Sequence, residues 1–173
     1  MVGDDIINSD TVFKFVEKSD CNSFVFSGGG IIKSRLLSIP GKKFIHTLPG
    51  LVPEIRRADC LFWSLLIKGK PGYSCFYMSP EIDEGDIFYT EEFPFSLCKI
   101  EGISCSYSDI YNGLLQSLDL HLRSACLINS LSYIMDDNFN VIESPTKKQK
   151  SSEGRMFFYM HEELKEHILA KLQ

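Results

Sequence analysis

The sequence predicts an α/β protein in which helices pack on a sheet, and three stretches predict it. Asn22 to Ile32, "NSFVFSGGGII", opens on the continuous apolar run Phe24-Val25-Phe26, as a strand covered on both faces does, and then enters a glycine loop. Arg57 to Ile67 is apolar on most faces, with Cys60, Leu61, Trp63, Leu65 and Ile67, and reads as a buried helix. Ser106 to Met135 repeats Ile110, Leu114, Leu115, Leu118, Leu122, Cys126 and Leu127 at three- and four-residue steps, the stripe of an amphipathic helix. The order strand, loop, strand, helix, two strands and two helices favours an α/β layering.

The remaining elements follow from punctuation. Lys42 to Leu48 is a short strand ended by Pro49-Gly50, and Lys68 to Gly72 is a turn. Tyr73 to Ser79 is an aromatic-rich strand, Pro80 to Asp86 an acidic loop, and Ile87 to Phe95 a further strand that Pro94 ends or confines to an edge. Ser108 or Asp109 caps the long helix. Asn138 to Lys150 is loop, "RMFFYM" a strand-like piece and "HEELKEHILAKLQ" a terminal helix. One domain accounts for residues 1–173, with a core over 20–135 and a loop, strand and helix over 136–173.

Composition narrows the function. The chain is 44% hydrophobic and 24% charged, which is globular rather than disordered. A net charge of −5 leaves only the small cluster Lys147, Lys148 and Lys150, so no nucleic-acid partner is expected. Cys21, Cys60, Cys75, Cys98, Cys105 and Cys126 form no CxxC pair, and several lie inside apolar runs, as buried free thiols do. No signal peptide and no run of bilayer length is visible, which predicts a cytoplasmic protein with no membrane partner. His161 with Glu162 and Glu163 is not HExxH, so no metal is expected. The triple glycine is neither GxGxxG nor followed by GK[ST], so it is not a phosphate loop.

The chemistry concentrates in "HTLPGLVPEIRR", "LFWSLLIKGKPGYSCFYM" and "EIDEGDIF", preceded by "FSGGGII". Together these resemble the catalytic domain of the folate-dependent formyltransferases over residues 20 to 160. That family's pattern is a strand ending in Asn-x-His, then Pro-Ser-Leu-Leu-Pro, Arg-Gly, an apolar helix, and a loop Leu/Ile-Asp-x-Gly. Without gaps, Pro49, Leu51, Pro53 and Arg56 match, His46 takes the asparagine position, Leu48 takes the histidine position, and Arg57 stands where the pattern has glycine. Shifting by two residues would put His46 in the histidine position and Phe44 in the asparagine position.

The resemblance implies a mainly parallel, Rossmann-like sheet with its N-terminal part shortened, and an open sheet edge there predicts pairing with a second copy. It implies 10-formyltetrahydrofolate as cofactor and a small amine, such as an amino-sugar nucleotide, as substrate. The runner-up is a formyltransferase-like protein that binds a ligand or partner without turnover. By resemblance, His46 and Asp83 are catalytic; Ser27, Gly28, Gly29, Gly30, Leu51, Val52 and Pro53 line the cofactor site; Arg56 binds substrate. Asp83 has a purely structural alternative, capping a backbone N–H in an acidic turn to which Gly85 lends a positive φ. Arg56 has one too, pairing with Glu54, Asp59 or Asp83. To serve as an oxyanion donor, a neutral His46 would have to aim an N–H at that oxygen.

Overall fold

The structure is a computed structural model, and it describes residues 4–27, 30–96, 106–137, 141–142, 144–150 and 152–172. The elements in order are α1 (Asp4–Ile7), α2 (Asp10–Lys18), β1 (Ser23–Phe26), α3 (Ser34–Leu37), β2 (Lys43–Pro49), β3 (Ile55–Arg57), α4 (Cys60–Lys68), β4 (Gly72–Tyr77), β5 (Ile87–Glu92), α5 (Tyr107–Gly113), α6 (Asp119–Ile134), β6 (Arg155–Phe157) and α7 (Glu162–Leu172). A π-helical turn, Leu114–Leu118, joins α5 to α6.

The α/β class holds: a four-stranded sheet of order β1-β2-β4-β5 is flanked by helices, with β3 and β6 forming a second, two-stranded sheet. The strand directions are mixed. β1 with β2 and β3 with β6 run parallel, whereas β4 runs antiparallel to both β2 and β5. The β4–β5 link explains part of this, because a loop without a crossover helix can only return the chain antiparallel.

Local chemistry sets the boundaries. Ser9 accepts from the Val12 N–H and starts α2, a helix that the sequence reading did not anticipate. The long helix begins within the expected Ser106–Met135 stretch, but its cap is Ser106, in a reciprocal box with Asp109, rather than Ser108 or Asp109. Gly69, at φ 73°, ends α4 in the left-handed conformation. The buried helix starts at Cys60 rather than Arg57, because Ile55–Arg57 is claimed by β6 as a strand. β5 stops at Glu92, two residues before Pro94.

The sheet's two faces have different neighbours. Phe44, His46 and Leu48 alternate with Ile45, Thr47 and Pro49 along β2. Leu48 packs with Val52, Phe76 and Ile87. α6 covers Tyr73 and Cys75 through Leu122 and Cys126. α4 and α7 share another cluster, Leu61, Phe62, Leu65, Ile168 and Leu169. No helix among the described residues is long and apolar enough to cross a membrane.

Candidate functional site

The strand order places His46 beside the end of β1. Its Cα pairs with Phe26, and its Nδ1 lies 2.8 Å from the Phe26 carbonyl oxygen. A carbonyl can only accept, so Nδ1 carries the proton and donates it. In the neutral ring Nε2 is then a lone pair. The ring stacks edge-on against Phe76, with centroids 5.7 Å apart.

Asp83 reaches the same neighbourhood from the β4–β5 loop. That loop folds back on β4: a Cβ on Gly85 would stand 1.7 Å from the Tyr77 carbonyl oxygen, and Gln149 Nε2 donates to the Gly85 carbonyl at 2.7 Å. Gly85 is therefore required by close approach. The positive φ that the sequence assigned to it belongs instead to Asp83, at 59°. The Arg57 backbone hydrogen-bonds the Asp83 carboxylate, and Arg57 itself sits at φ 85°. An aspartate tolerates that region; an arginine is strained in it. Arg57 thus holds a glycine-type conformation at the position where the resembling pattern has glycine.

Electrostatics tie the two groups together. Burial pushes His46 below its ordinary value of 6.5; the Phe26 hydrogen bond opposes this, Arg123 adds to it and Asp83 opposes it. Burial pushes Asp83 above its ordinary 3.8, opposed by His46 first and then by Arg57 and Arg56. Each is near enough to shift the other, and desolvation drives their proton affinities toward one another. Cys60, beside Asp83, is pushed up to about 12, chiefly by burial, and its thiol donates to the Arg57 carbonyl at 3.1 Å.

The other expected residues divide. Leu51, Val52 and Pro53 line a cavity of about 510 Å³ with Ile87, Phe88 and Lys147. His46 and Asp83 are not among its lining residues, nor among those of a second cavity of about 600 Å³ along the acidic loop. Arg56 is 2% exposed, and its Nη1 lies 3.0 Å from Glu84 Oε1. That contact ties it to the loop that carries Asp83, whose carboxylate its charge also favours. Ser27 and Gly30 are exposed at the end of β1, away from either lining, and Gly28 and Gly29 lie outside the described residues. Leu48 is buried in the cluster with Val52, Phe76 and Ile87.

Sequence reading missed Arg123. It donates from α6 to the Thr47 carbonyl at 3.2 Å and pairs with Asp119 at 2.7 Å. The i, i+4 spacing of Asp119 and Arg123 was visible; their reach to β2 was not. No group of histidine, cysteine and carboxylate side chains among the described residues could hold a metal ion.

A cavity of about 510 Å³ lies within the ordinary range for small-molecule sites; half-buried Leu51, Phe88 and Tyr89 give it apolar wall suited to a ring, and Glu54, Thr90, Thr146 and Lys147 give it polar edges. The residues present therefore fit the ring portion of a folate. Fold and site together define an α/β domain with a half-buried histidine and aspartate close enough to shift each other, and a separate cavity lined by Leu51, Val52 and Pro53. No family model and no curated protein matches the chain. Among solved structures it is similar to a sugar N-formyltransferase from Shewanella, at 19% identity over 87% of this chain and 54% of that one, with a TM-score of 0.46. It is similar to a 4-N formyltransferase from Francisella tularensis at 20% identity over 83% and 51%, TM-score 0.47. A third is a formyltransferase from Anoxybacillus kamchatkensis in complex with UDP-4,6-dideoxy-4-formamido-L-AltNAc and tetrahydrofolate, at 17% identity over 81% and 65%, TM-score 0.44. The chain spans about half the length of the first two.

Proposed function

We propose that this domain transfers a formyl group from 10-formyltetrahydrofolate to the amino group of a small molecule such as an amino-sugar nucleotide. The observation that carries the reading is that half-buried His46 and Asp83 lie close enough to shift each other's proton affinity, within a run of motifs that resembles the folate-dependent formyltransferases. When bound, the cofactor supplies a formyl carbon open to attack by an amine. Leu51, Val52 and Pro53 would hold its ring system against Ile87 and Phe88.

The residues' roles follow from their protons. With Nδ1–H committed to Phe26, neutral His46 offers Nε2 as a base for the acceptor's proton. It is not an oxyanion donor in that state. Asp83, whose charge raises the proton affinity of His46, would stabilise the imidazolium that forms when the ring takes that proton. Arg57 and Arg56 fix the carboxylate, the one through its backbone and the other by holding Glu84. Leu48 supplies no donor, and a missing oxyanion donor costs about 2.7–4 kcal/mol of transition-state stabilisation. Turnover is therefore slow. The open outer edge of β1 further supports pairing with a second copy, which sedimentation velocity tests.

One observation favours a second reading, a binding domain without turnover: the pair lies outside the lining of the cavity, beyond the Leu48–Phe76 cluster. A single set of measurements separates the two. A folate analogue at 100 times its Kd should add about 2.7 kcal/mol of stability under either reading. Formylated amine and tetrahydrofolate released together, raised by Leu48→His and abolished by Asp83→Ala, support the enzyme. Binding with no product, even in Leu48→His, leaves the binding domain. No stabilisation at millimolar analogue overturns both.

A further inference from the structure

On the sheet face opposite His46, two cysteines meet inside the core. Cys75 of β4 and Cys126 of α6 are both 0% exposed, and their sulfurs are 3.7 Å apart. Thr47, the β2 residue in register with Cys75, places its hydroxyl 3.2 Å from the Cys75 sulfur. The Ser130 hydroxyl beside them is turned to the Leu127 carbonyl at 2.7 Å. Tyr73 and Leu122 complete the surround.

The arrangement is polarised. The two sulfurs lie within hydrogen-bond reach, and the Thr47 hydroxyl flanks Cys75 alone; hydrogen bonding favours the Cys75 thiolate and burial opposes it. The other described cysteines stand apart: Cys21 is exposed, and Cys60 spends its thiol on the Arg57 carbonyl. Cys98 and Cys105 lie outside the described residues.

We propose that Cys75 and Cys126 are a modification site at which peroxide oxidation forms an intramolecular disulfide between β4 and α6. Cys75, as the thiolate, attacks one oxygen of hydrogen peroxide; the O–O bond breaks, hydroxide leaves and Cys75 becomes a sulfenic acid. The Cys126 sulfur, giving up its proton, then attacks the Cys75 sulfur; the S–O bond breaks and water leaves. Two thiols lose two electrons and two protons, and one peroxide becomes two waters. Because both sulfurs are buried, a small neutral oxidant enters when α6 opens from the sheet, whereas a bulky alkylating reagent is excluded. The new bond pins the helix that carries Asp119 and Arg123, whose side chains reach the Tyr73 hydroxyl and the Thr47 carbonyl.

The test treats the intact protein with hydrogen peroxide, blocks the remaining thiols after unfolding, and maps the digest by mass spectrometry. The expected product is one cross-linked peptide pair holding Cys75 and Cys126, lighter by two hydrogens and restored by dithiothreitol. The thermal midpoint of the oxidised protein should rise and fall back on reduction, since the link constrains the unfolded chain. In Cys126→Ser, shown folded by circular dichroism, the serine keeps a donor beside Cys75 but cannot link to it, and unfolding in a sulfenic-acid reagent should capture Cys75 instead. If that variant does not fold, the wild-type map decides alone. Free Cys75 and Cys126 after Cys21 has been oxidised, or either one linked elsewhere, overturns the proposal.

Discussion

Two buried ionic sites in this chain are built on opposite plans. Asp59 and Lys165 form a closed pair 2.9 Å apart, with side chains 12% and 10% exposed. The Asp59 carboxylate also takes the Met160 N–H at 2.8 Å, and the Lys165 ammonium lies over the Phe62 and Tyr111 rings. Burial alone would lower Lys165, but Asp59 and the Tyr111 hydroxyl more than offset it, and the amine is held above its ordinary 10.5. Around His46 and Asp83 the partners are fewer, and burial wins on both groups in opposite senses. The first pair ties α7 to the start of α4 and keeps the Lys165 ammonium charged. His46 and Asp83 are instead shifted by desolvation, a pattern that clusters at functional sites.

The contrast can be broken at its stronger end first. Asp59→Ala leaves the Lys165 ammonium buried without its counter-ion and frees the Met160 N–H; the cost should be about 3–5 kcal/mol in urea unfolding. A loss under 1 kcal/mol would mean that the pair is solvated and the distinction false. Arg57→Gly tests the strain at the other site. Strained positive φ costs about 1–3 kcal/mol, and glycine's extra freedom in the unfolded chain offsets part of it, so a net gain of about 1 kcal/mol is expected. Destabilisation would show that the Arg57 side chain contributes more than its backbone costs.

A subtler effect is pH dependence. His46 is lowered from 6.5, so its contribution is present above pH 6.5 and is lost as pH falls through the folded value. Asp83 is raised from 3.8, so its contribution is present below pH 3.8 and is lost as pH rises through the folded value. Urea midpoints of wild type and His46→Gln should diverge as pH falls below 6.5, the variant losing less; parallel curves would show His46 to be solvated. Smallest of all, Glu92→Gln removes the rim pair with Lys70, whose side chains are 35% and 45% exposed, and should leave the midpoint unchanged.

Legibility followed the range of the interactions. The Ser106 to Met135 helix, the end of β5 near Pro94 and the Pro49-Gly50 strand end were readable because each depends on residues a few positions apart. The three-residue strand at Ile55 was not, because its partner lies a hundred residues later at Arg155. His46 and Asp83 were singled out through the family resemblance their motifs carry. That the Phe26 carbonyl holds Nδ1 depended on the β1–β2 register. Likewise, the burial of Arg56 against Glu84 depended on a loop nearly thirty residues away.

The sequence by itself determined the buried, the long and the terminal helices, the glycine and proline turns, the apolar strands and the residue types available for chemistry, because propensity, periodicity and capping act within a turn or two of chain. Only the tertiary structure decided which strands run antiparallel, which cysteines touch, and which charges are matched or left half-paired. Those outcomes depend on desolvation and on partners brought from distant elements, and neither is encoded in any single stretch of residues.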